Sequence, residues 1–146
     1  MYCLTVVGNK LYSGSVDTTI GVWDTDTHQR ITTLQGHTNA VFCLTVVGNK
    51  LYSGSVDETI GVWDTDTHQR ITTLQGHTDA VECLTVVGNK LYSGSCDRTI
   101  GVWDIDTHQH IATLEGHTDS VWCLTVVGNK LYSGSVDKTI RAWTLF

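Results

Sequence analysis

The chain repeats itself at intervals of 40 residues, and this periodicity constrains its fold more than any other feature. Residues 3–38 match residues 43–78 at 35 of 36 positions, the exception being Thr18 against Glu58. Such a repeat is typical of solenoids, propellers and arrays, in which one unit buries its apolar faces only against its neighbours. Copies this similar indicate either recent duplication or deliberate construction.

Each unit is predicted to contain four short strands and no helix, because its apolar residues occur in short runs broken by turn residues. In the second unit the predicted strands cover residues 40–47, 51–55, 59–64 and 70–75 and form an antiparallel meander. The first of these strands is apolar on both faces, so a further sheet is expected on each side. Simple alternation places Val41, Cys43 and Val47 on one face and Phe42, Leu44 and Val46 on the other.

Three signatures recur with the same 40-residue period. They are a Gly-His pair, an Asp in the pattern SGSxD and a Trp-Asp pair, seen in the second unit as Gly36-His37, Asp57 and Trp63-Asp64. Together they resemble the WD-repeat β-propeller family. The resemblance covers nearly the whole chain, but the Pro-Asp-Gly turn common in that family is replaced by VVGNK, and the last unit has Trp143-Thr144.

The resemblance implies an all-β fold, a WD-repeat β-propeller with four antiparallel blades in one domain, residues 1–146. The expected blades cover approximately residues 2–35, 40–75, 80–115 and 120–146, and the last lacks its outermost strand. We expect the N-terminus to begin with an innermost strand and to carry no spare outer strand. We therefore expect an open apolar face on blade one and another on blade four, and a head-to-tail homodimer that closes as a ring of eight blades. The third strand of blade four would keep an unpaired edge.

Ser, His and Asp within one unit suggest a catalytic triad, but a triad has no reason to occur three times. In WD-repeat proteins the matching residues form a structural hydrogen-bond chain. The resemblance assigns three such chains: His37, Ser53, Asp57 and Trp63; His77, Ser93, Asp97 and Trp103; His117, Ser133, Asp137 and Trp143. Either serine of SGS fits the pattern. Blade one has no preceding His, so its chain is expected to be incomplete, and the protein is expected not to be an enzyme.

Two positions take a different residue in every copy, and both are predicted to lie on one rim of the blades. The first holds Tyr2, Phe42, Glu82 and Trp122; the second holds Thr18, Glu58, Arg98 and Lys138. By resemblance, this rim binds a peptide or protein partner. The family pattern adds neighbouring positions to the candidate partner-binding set: Ala40, Ala80 and Ser120, with Val16, Val56, Cys96 and Val136. The alternative is that the aromatic residues only plug the channel.

Charge and cysteine usage narrow the remaining possibilities. The net charge of −6 includes no run of Lys or Arg, so a nucleic-acid partner is not expected, and no segment is apolar enough for a membrane span or signal peptide. Four cysteines recur with the repeat and resemble buried thiols in a reducing compartment, so we predict a cytoplasmic protein. Cys96 alone is a candidate for an exposed, reactive thiol.

A metal site is the one cofactor the sequence suggests, through His108 and His110. No Cys or carboxylate pair accompanies them at ligand spacing, so neither a metal nor another cofactor is expected. The leading functional hypothesis is a self-assembling, non-enzymatic interaction scaffold. The alternative is a purely structural or engineered self-assembling repeat with no external ligand, and a hydrolase ranks third.

Overall fold

The computed structural model describes residues 2–145, which contain fifteen β-strands and no helix. No helix within residues 2–145 therefore has the length and apolarity needed to cross a membrane. Each sheet is antiparallel and follows chain order, which confirms the predicted all-β meander. Blade one comprises β1 (Cys3–Val7), β2 (Lys10–Gly14), β3 (Ile20–Asp24) and β4 (Arg30–Leu34).

Blades two and three repeat this arrangement, and blade four has three strands within the described residues. Blade two comprises β5 (Val41–Val47), β6 (Lys50–Ser55), β7 (Ile60–Asp64) and β8 (Arg70–Leu74). Blade three comprises β9 (Val81–Val87), β10 (Lys90–Ser95), β11 (Ile100–Asp104) and β12 (His110–Leu114). Blade four comprises β13 (Val121–Val127), β14 (Lys130–Ser135) and β15 (Ile140–Thr144).

The GNK segments connect the first two strands of each blade through tight turns. In blade two, Val47 pairs with Lys50 across the turn, and Gly48 has φ +58°. This left-handed conformation suits glycine, which has no Cβ to clash with the backbone. A two-residue turn of this kind fixes the register of the hairpin, and with it the face on which every following side chain lies.

The apolar core is divided into three clusters, each between two successive blades. Between blades one and two, the first blade contributes Cys3, Val7, Tyr12, Ile20, Val22 and Leu34. The second blade contributes Val41, Leu44, Val46, Leu51 and Trp63. We call the face turned toward the following blade the forward face and the opposite one the backward face. The same positions recur between blades two and three and between blades three and four.

A β-bulge at Phe42 corrects one expectation about the first strand. Val41 pairs with Ser55 and Cys43 with Gly54, so Phe42 is an extra residue without a partner on the next strand. Val41 consequently packs on the backward face with Leu44, whereas Cys43 packs on the forward face. The prediction that Val41 and Cys43 share a face was therefore wrong, because the bulge shifts the alternation by one residue.

Candidate functional sites: buried hydrogen-bond chains and the variable rim

The first candidate site is a set of four polar residues that come together in a blade. The loop before the blade supplies a histidine, the second strand a serine, the following turn an aspartate and the third strand a tryptophan. In blade two, His37 Nδ1 lies 2.8 Å from Asp57 Oδ2, and His37 Nε2 lies 2.7 Å from Ser53 Oγ. Trp63 Nε1 donates to Ser53 Oγ at 2.9 Å. The ionised carboxylate can only accept, so Nδ1 carries the proton and Nε2 accepts from the serine hydroxyl.

The environment of this chain favours a neutral imidazole beside an ionised carboxylate. Burial lowers the pKa of His37, and this effect outweighs the opposing influence of Asp57. Burial also opposes ionisation of Asp57, but hydrogen bonds from Thr59, His37 and Thr38 outweigh it, and the carboxyl pKa lies below its ordinary value. The hydrogen-bond chain therefore links the neutral side chains of Trp63, Ser53 and His37 and ends on the ionised carboxylate of Asp57.

Blades three and four have the same geometry as blade two. The His to Asp, His to Ser and Trp to Ser distances are 2.7, 2.6 and 2.8 Å for His77, Asp97, Ser93 and Trp103. For His117, Asp137, Ser133 and Trp143 they are 2.7, 2.7 and 2.9 Å. Blade one has the Trp23 to Ser13 bond at 3.0 Å, while Asp17 accepts from Thr19.

The first serine of SGS belongs to the chain, and the second has a different role. Ser55 Oγ donates to the backbone carbonyl of Ala40 at 2.8 Å and accepts the N–H of Asp57 at 3.0 Å. It therefore ties the turn that carries Asp57 to the loop that carries His37. The sequence left both serines open because alternate strand residues point to the same side.

The buried position of the chain is unsuited to catalysis by Ser53. The serine has no solvent exposure, and the His37 ring beside it is buried as well. Its oxygen is already engaged by the rings of Trp63 and His37, which leaves no approach for a substrate. A nucleophile must reach its substrate, so the burial and the occupied hydrogen bonds of Ser53 favour a structural role over acyl transfer.

The second candidate site is the variable rim, which we define as the open end carrying Tyr2, Phe42, Glu82 and Trp122. The rings of Tyr2 and Phe42 meet edge to face with centroids 4.7 Å apart. Together with Glu82 they line a cavity of about 200 Å³. Trp122 stands apart with 60% of its surface exposed. The rim therefore offers an aromatic pair, a carboxylate and a free indole.

The neighbouring candidate positions differ in how much surface they present. Ala40 and Ala80 are buried, so they contribute almost nothing to a contact surface, while Ser120 is half-buried. Val16 and Val136 are exposed, and Val56 and Cys96 are half-buried. The second variable position is a left-handed residue in every blade: φ is 75° at Thr18, 75° at Glu58, 76° at Arg98 and 70° at Lys138.

Cys96 is paired with the rim carboxylate. Its Sγ donates to Glu82 Oε1 at 3.0 Å. Burial, followed by this hydrogen bond, raises the thiol pKa to about 11. The thiolate is the reactive form of cysteine, so the expectation that Cys96 is an exposed, reactive thiol was wrong.

The two candidate metal ligands, His108 and His110, lie in different surroundings. The His110 ring packs against Trp103 at a tilt of 49°, with centroids 4.7 Å apart, and shares a hydrogen bond with Thr113. His108 lies in the preceding turn with φ 61°. Within residues 2–145 no three potential metal ligands come together.

Contacts on the tryptophan rings were not recognised from the sequence. The guanidinium carbons of Arg30 and Arg70 lie 4.6 and 4.9 Å from the ring centroids of Trp23 and Trp63, and His110 takes this place in blade three. The signal was available, because the first residue of each outer strand is Arg, Arg and His in register with Trp.

The stacked meanders define a partial β-propeller built from near-identical blades. The family model described as "WD domain, G-beta repeat" matches residues 28–64, 68–104 and 108–144, and the chain belongs to this WD-repeat family. In that family the repeat is a protein-interaction scaffold and is generally non-enzymatic. Among curated proteins, no sequence matches this chain significantly.

Three solved structures are similar along nearly the whole chain. The computationally designed Ika4 protein has a TM-score of 0.91 and 36% identity, covering 98% of this chain and 89% of that one. The computationally designed Ika8 protein has a TM-score of 0.90 and 37% identity, and the RRP9 WD40 repeats have 0.89 and 28%. Each covers 97% of this chain, which spans 45% of the Ika8 chain and 47% of the RRP9 chain.

Proposed function

We propose that this chain is a non-enzymatic scaffold that closes head-to-tail with a second copy into an eight-bladed ring and binds a peptide on the variable rim. The observation that carries the assembly is the match between its two outer faces. The two blade faces that have no neighbouring blade within residues 2–145 expose side chains whose counterparts are buried between successive blades.

The backward face of blade one is one of these faces. Leu4 is 57% exposed and Val6 is 59% exposed, whereas their counterparts Leu44 and Val46 pack against the cluster between blades one and two. Uncovered aliphatic side chains in a contiguous group are unfavourable in water, at about 25 cal/mol per Å² of apolar surface. This face therefore favours a partner with the shape of a forward face.

The forward face of blade four is the other face. Ile140 is 77% exposed, although Ile20, Ile60 and Ile100 at the same position are fully buried. Cys123 is exposed as well, while its counterparts are half-buried between blades. Blade four of one copy thus supplies what blade one of the next copy lacks, and the interface would be heterologous and closed.

Lysine side chains add hydrogen bonds between successive blades, and blade four carries a lysine at the same position. Lys10 Nζ donates to the carbonyl of Thr65 at 2.6 Å, and Lys50 Nζ donates to the carbonyl of Ile105 at 3.0 Å. Each lysine thus reaches a residue 55 positions later, in the following blade. By the same step, Lys130 would reach the carbonyl of Thr25 in a second copy.

Chain length also supports a pair of copies. One copy spans a little under half of the Ika8 and RRP9 chains, so two copies amount to about one chain of that length. Two chains of 16.1 kDa would have a combined mass of 32.2 kDa. Eight blades agree with the number at which propellers of this family usually close, about seven or eight.

Light scattering coupled to gel filtration tests the ring. We expect a mass of two chains, and we expect Leu4→Glu to reduce it to one chain because it places a carboxylate in the apolar interface. Ile71→Glu is the matched control, since Ile71 is also exposed but lies on the outer strand of blade two, which has a neighbouring blade on each side. A single-chain mass for the unmodified protein contradicts the ring.

The rim chemistry favours a peptide that presents a basic side chain next to an apolar one. An aromatic pair with a carboxylate attracts a cation both through the ring faces and through charge. Exposed aromatic residues are also the type that forms binding hot spots, where truncation costs about 2 kcal/mol or more. The protein as a whole is acidic, which favours a basic ligand further.

Selection from a random peptide library tests the rim. We expect a consensus with Lys or Arg beside an apolar residue, and we expect the combined Phe42→Ala and Trp122→Ala variant to lose it. Ile71→Ala, an exposed outer-strand position, is the control that keeps binding. If the rim variant selects the same peptides but unfolds more readily, the aromatic residues are a plug.

A purely structural, self-assembling repeat is the second candidate. Its support is the near-identity of the copies and the similarity to two computationally designed proteins. If the protein forms a ring of two chains and no peptide from the library binds its rim, this function would be favoured over the scaffold.

A further inference from the structure

The outer edge of β15 differs from the corresponding edges in the other three blades. In blades one to three an outer strand pairs with the third strand; in blade two the register is Ile60 with Leu74, Gly61 with Thr73, Val62 with Thr72 and Trp63 with Arg70. Within residues 2–145, β15 pairs only with β14. Its outer N–H and C=O groups are therefore a template for an added strand.

A groove lies beside this edge, between blades three and four of one chain. It has a volume of about 260 Å³, and its apolar lining includes Val102, Ile111, Ala112, Trp143 and Leu145. In the other blades the space beside the tryptophan is filled by the first residue of the outer strand. Arg70 stacks on Trp63, and a Cβ added to Gly36 would collide with its guanidinium.

Blade four differs from the others at the residue two positions before the tryptophan. Position 141 is arginine, whereas Gly21, Gly61 and Gly101 stand there in the other blades. A Cβ added to Gly116 would lie 3.0 Å from Arg141 Nη1, so this guanidinium stands next to Gly116 as that of Arg70 stands next to Gly36. Blade four thus supplies its own cation from the third strand.

The apolar groove and Arg141 together indicate which kind of strand would fit beside β15. We propose that the edge of β15 binds an extended segment of another polypeptide, antiparallel to β15, with Leu opposite Ile140 and an apolar residue, not Arg, opposite Trp143. The backbone of β15 would provide the hydrogen bonds, and the apolar groove would take the side chain opposite Trp143. A second guanidinium there would meet Arg141 at close range and lose its hydration in an apolar groove.

The groove belongs to a single chain, so the preference at the position opposite Trp143 does not depend on the ring. The groove is lined by blades three and four of the same copy. An outcome that removes the ring therefore leaves the peptide test meaningful, and failure of the peptide leaves the ring unaffected.

Fluorescence polarisation with two labelled peptides tests the proposal. One has the sequence of residues 65–76, TDTHQRITTLQG; the other, TDTHQLITTLQG, has Leu at the position opposite Trp143. We expect saturable binding of the Leu peptide, with the Arg peptide weaker by at least about threefold. Arg141→Gly, which restores the residue of the other three blades, is expected to remove or reverse this preference.

A proline substitution tests whether the backbone edge is used. Asp24, Asp64 and Asp104 each donate their N–H to a glutamine carbonyl before the outer strand, at 2.9 Å. Thr144 is the equivalent residue in blade four, so Thr144→Pro removes an outward donor and is expected to abolish binding. Replacing the two adjacent threonines of the Leu peptide, the counterparts of Thr72 and Thr73, by proline removes ladder donors without altering the protein, and is expected to do the same.

Three results would overturn the proposal. They are no saturable binding of the Leu peptide, binding that survives proline in the peptide, and equal affinity for the Leu and Arg peptides in the protein with Arg141. Binding of the Leu peptide that is lost with proline and tuned by residue 141 would support it.

Discussion

Replacing Ser93 with alanine removes the hydroxyl that joins His77 to Trp103 inside blade three. The serine has no solvent exposure, and its oxygen bonds His77 Nε2 at 2.6 Å and Trp103 Nε1 at 2.8 Å. Both rings are buried, so a water molecule has no open route to replace the hydroxyl. Each buried group left without a partner costs about 1–3 kcal/mol, and with partial relaxation we expect a total loss of about 2–4 kcal/mol.

Ser13→Ala in blade one is the matched control for this prediction. Ser13 makes the same bond to its tryptophan, at 3.0 Å, but within residues 2–145 no histidine is bonded to it, and Trp23 is only half-buried. One bond to a partly accessible ring should contribute about 0.5–1.5 kcal/mol. The difference between the two variants therefore measures what the histidine adds to the chain.

Urea unfolding, followed by tryptophan fluorescence, is the assay for both variants. Protein concentration must be the same throughout, because association of copies adds to apparent stability. The free energy of unfolding is obtained by linear extrapolation, and unchanged m-values would show that the comparison is valid. Equal losses for Ser93→Ala and Ser13→Ala would refute the idea that the histidine makes the chain cooperative.

Three further outcomes are expected. The folded state lowers the pKa of both His37 and Asp57, so the unfolded state binds more protons at acid pH. Stability should be level between about pH 7 and 8, fall as the pH drops through the unfolded histidine pKa of about 6.5, and fall again below about pH 3.8, as urea midpoints across pH would show. Gly94→Ala should destabilise the chain by about 1–3 kcal/mol in urea, since its Cβ would lie 2.9 Å from a valine methyl of blade four and would also meet the sulfur of Cys83. Gly134→Ala would meet only the sulfur of Cys123 among the described residues, so it should weaken assembly more than folding, seen as a lower mass by light scattering. Cys123 should react quickly with a thiol reagent in a single chain and slowly in the ring, and equal rates in the two forms would argue against burial of that face.

The sequence by itself determined the fold class, the number of blades and, through the family resemblance, the histidine, aspartate and tryptophan of each hydrogen-bond chain. These depend on features that repeat: a 40-residue period, strand-length apolar runs and polar residues in constant register, such as His37 and Asp57. A repeated pattern restricts the fold because each copy must satisfy the same contacts with its neighbours. The resemblance to a known family then assigned the polar residues to a structural role.

Only the tertiary structure decided on which face of a blade a side chain lies and which partner it contacts. The bulge at Phe42 moved Val41 to the backward face, and the turn geometry selected Ser53 over Ser55 as the partner of His37. Both outcomes depend on how one strand pairs with the next, and a period of two in the sequence carries no record of an extra residue. Arg141 is the third case: its value as a replacement for an outer-strand cation emerges only when two distant segments, the third strand and the loop at Gly116, are brought together.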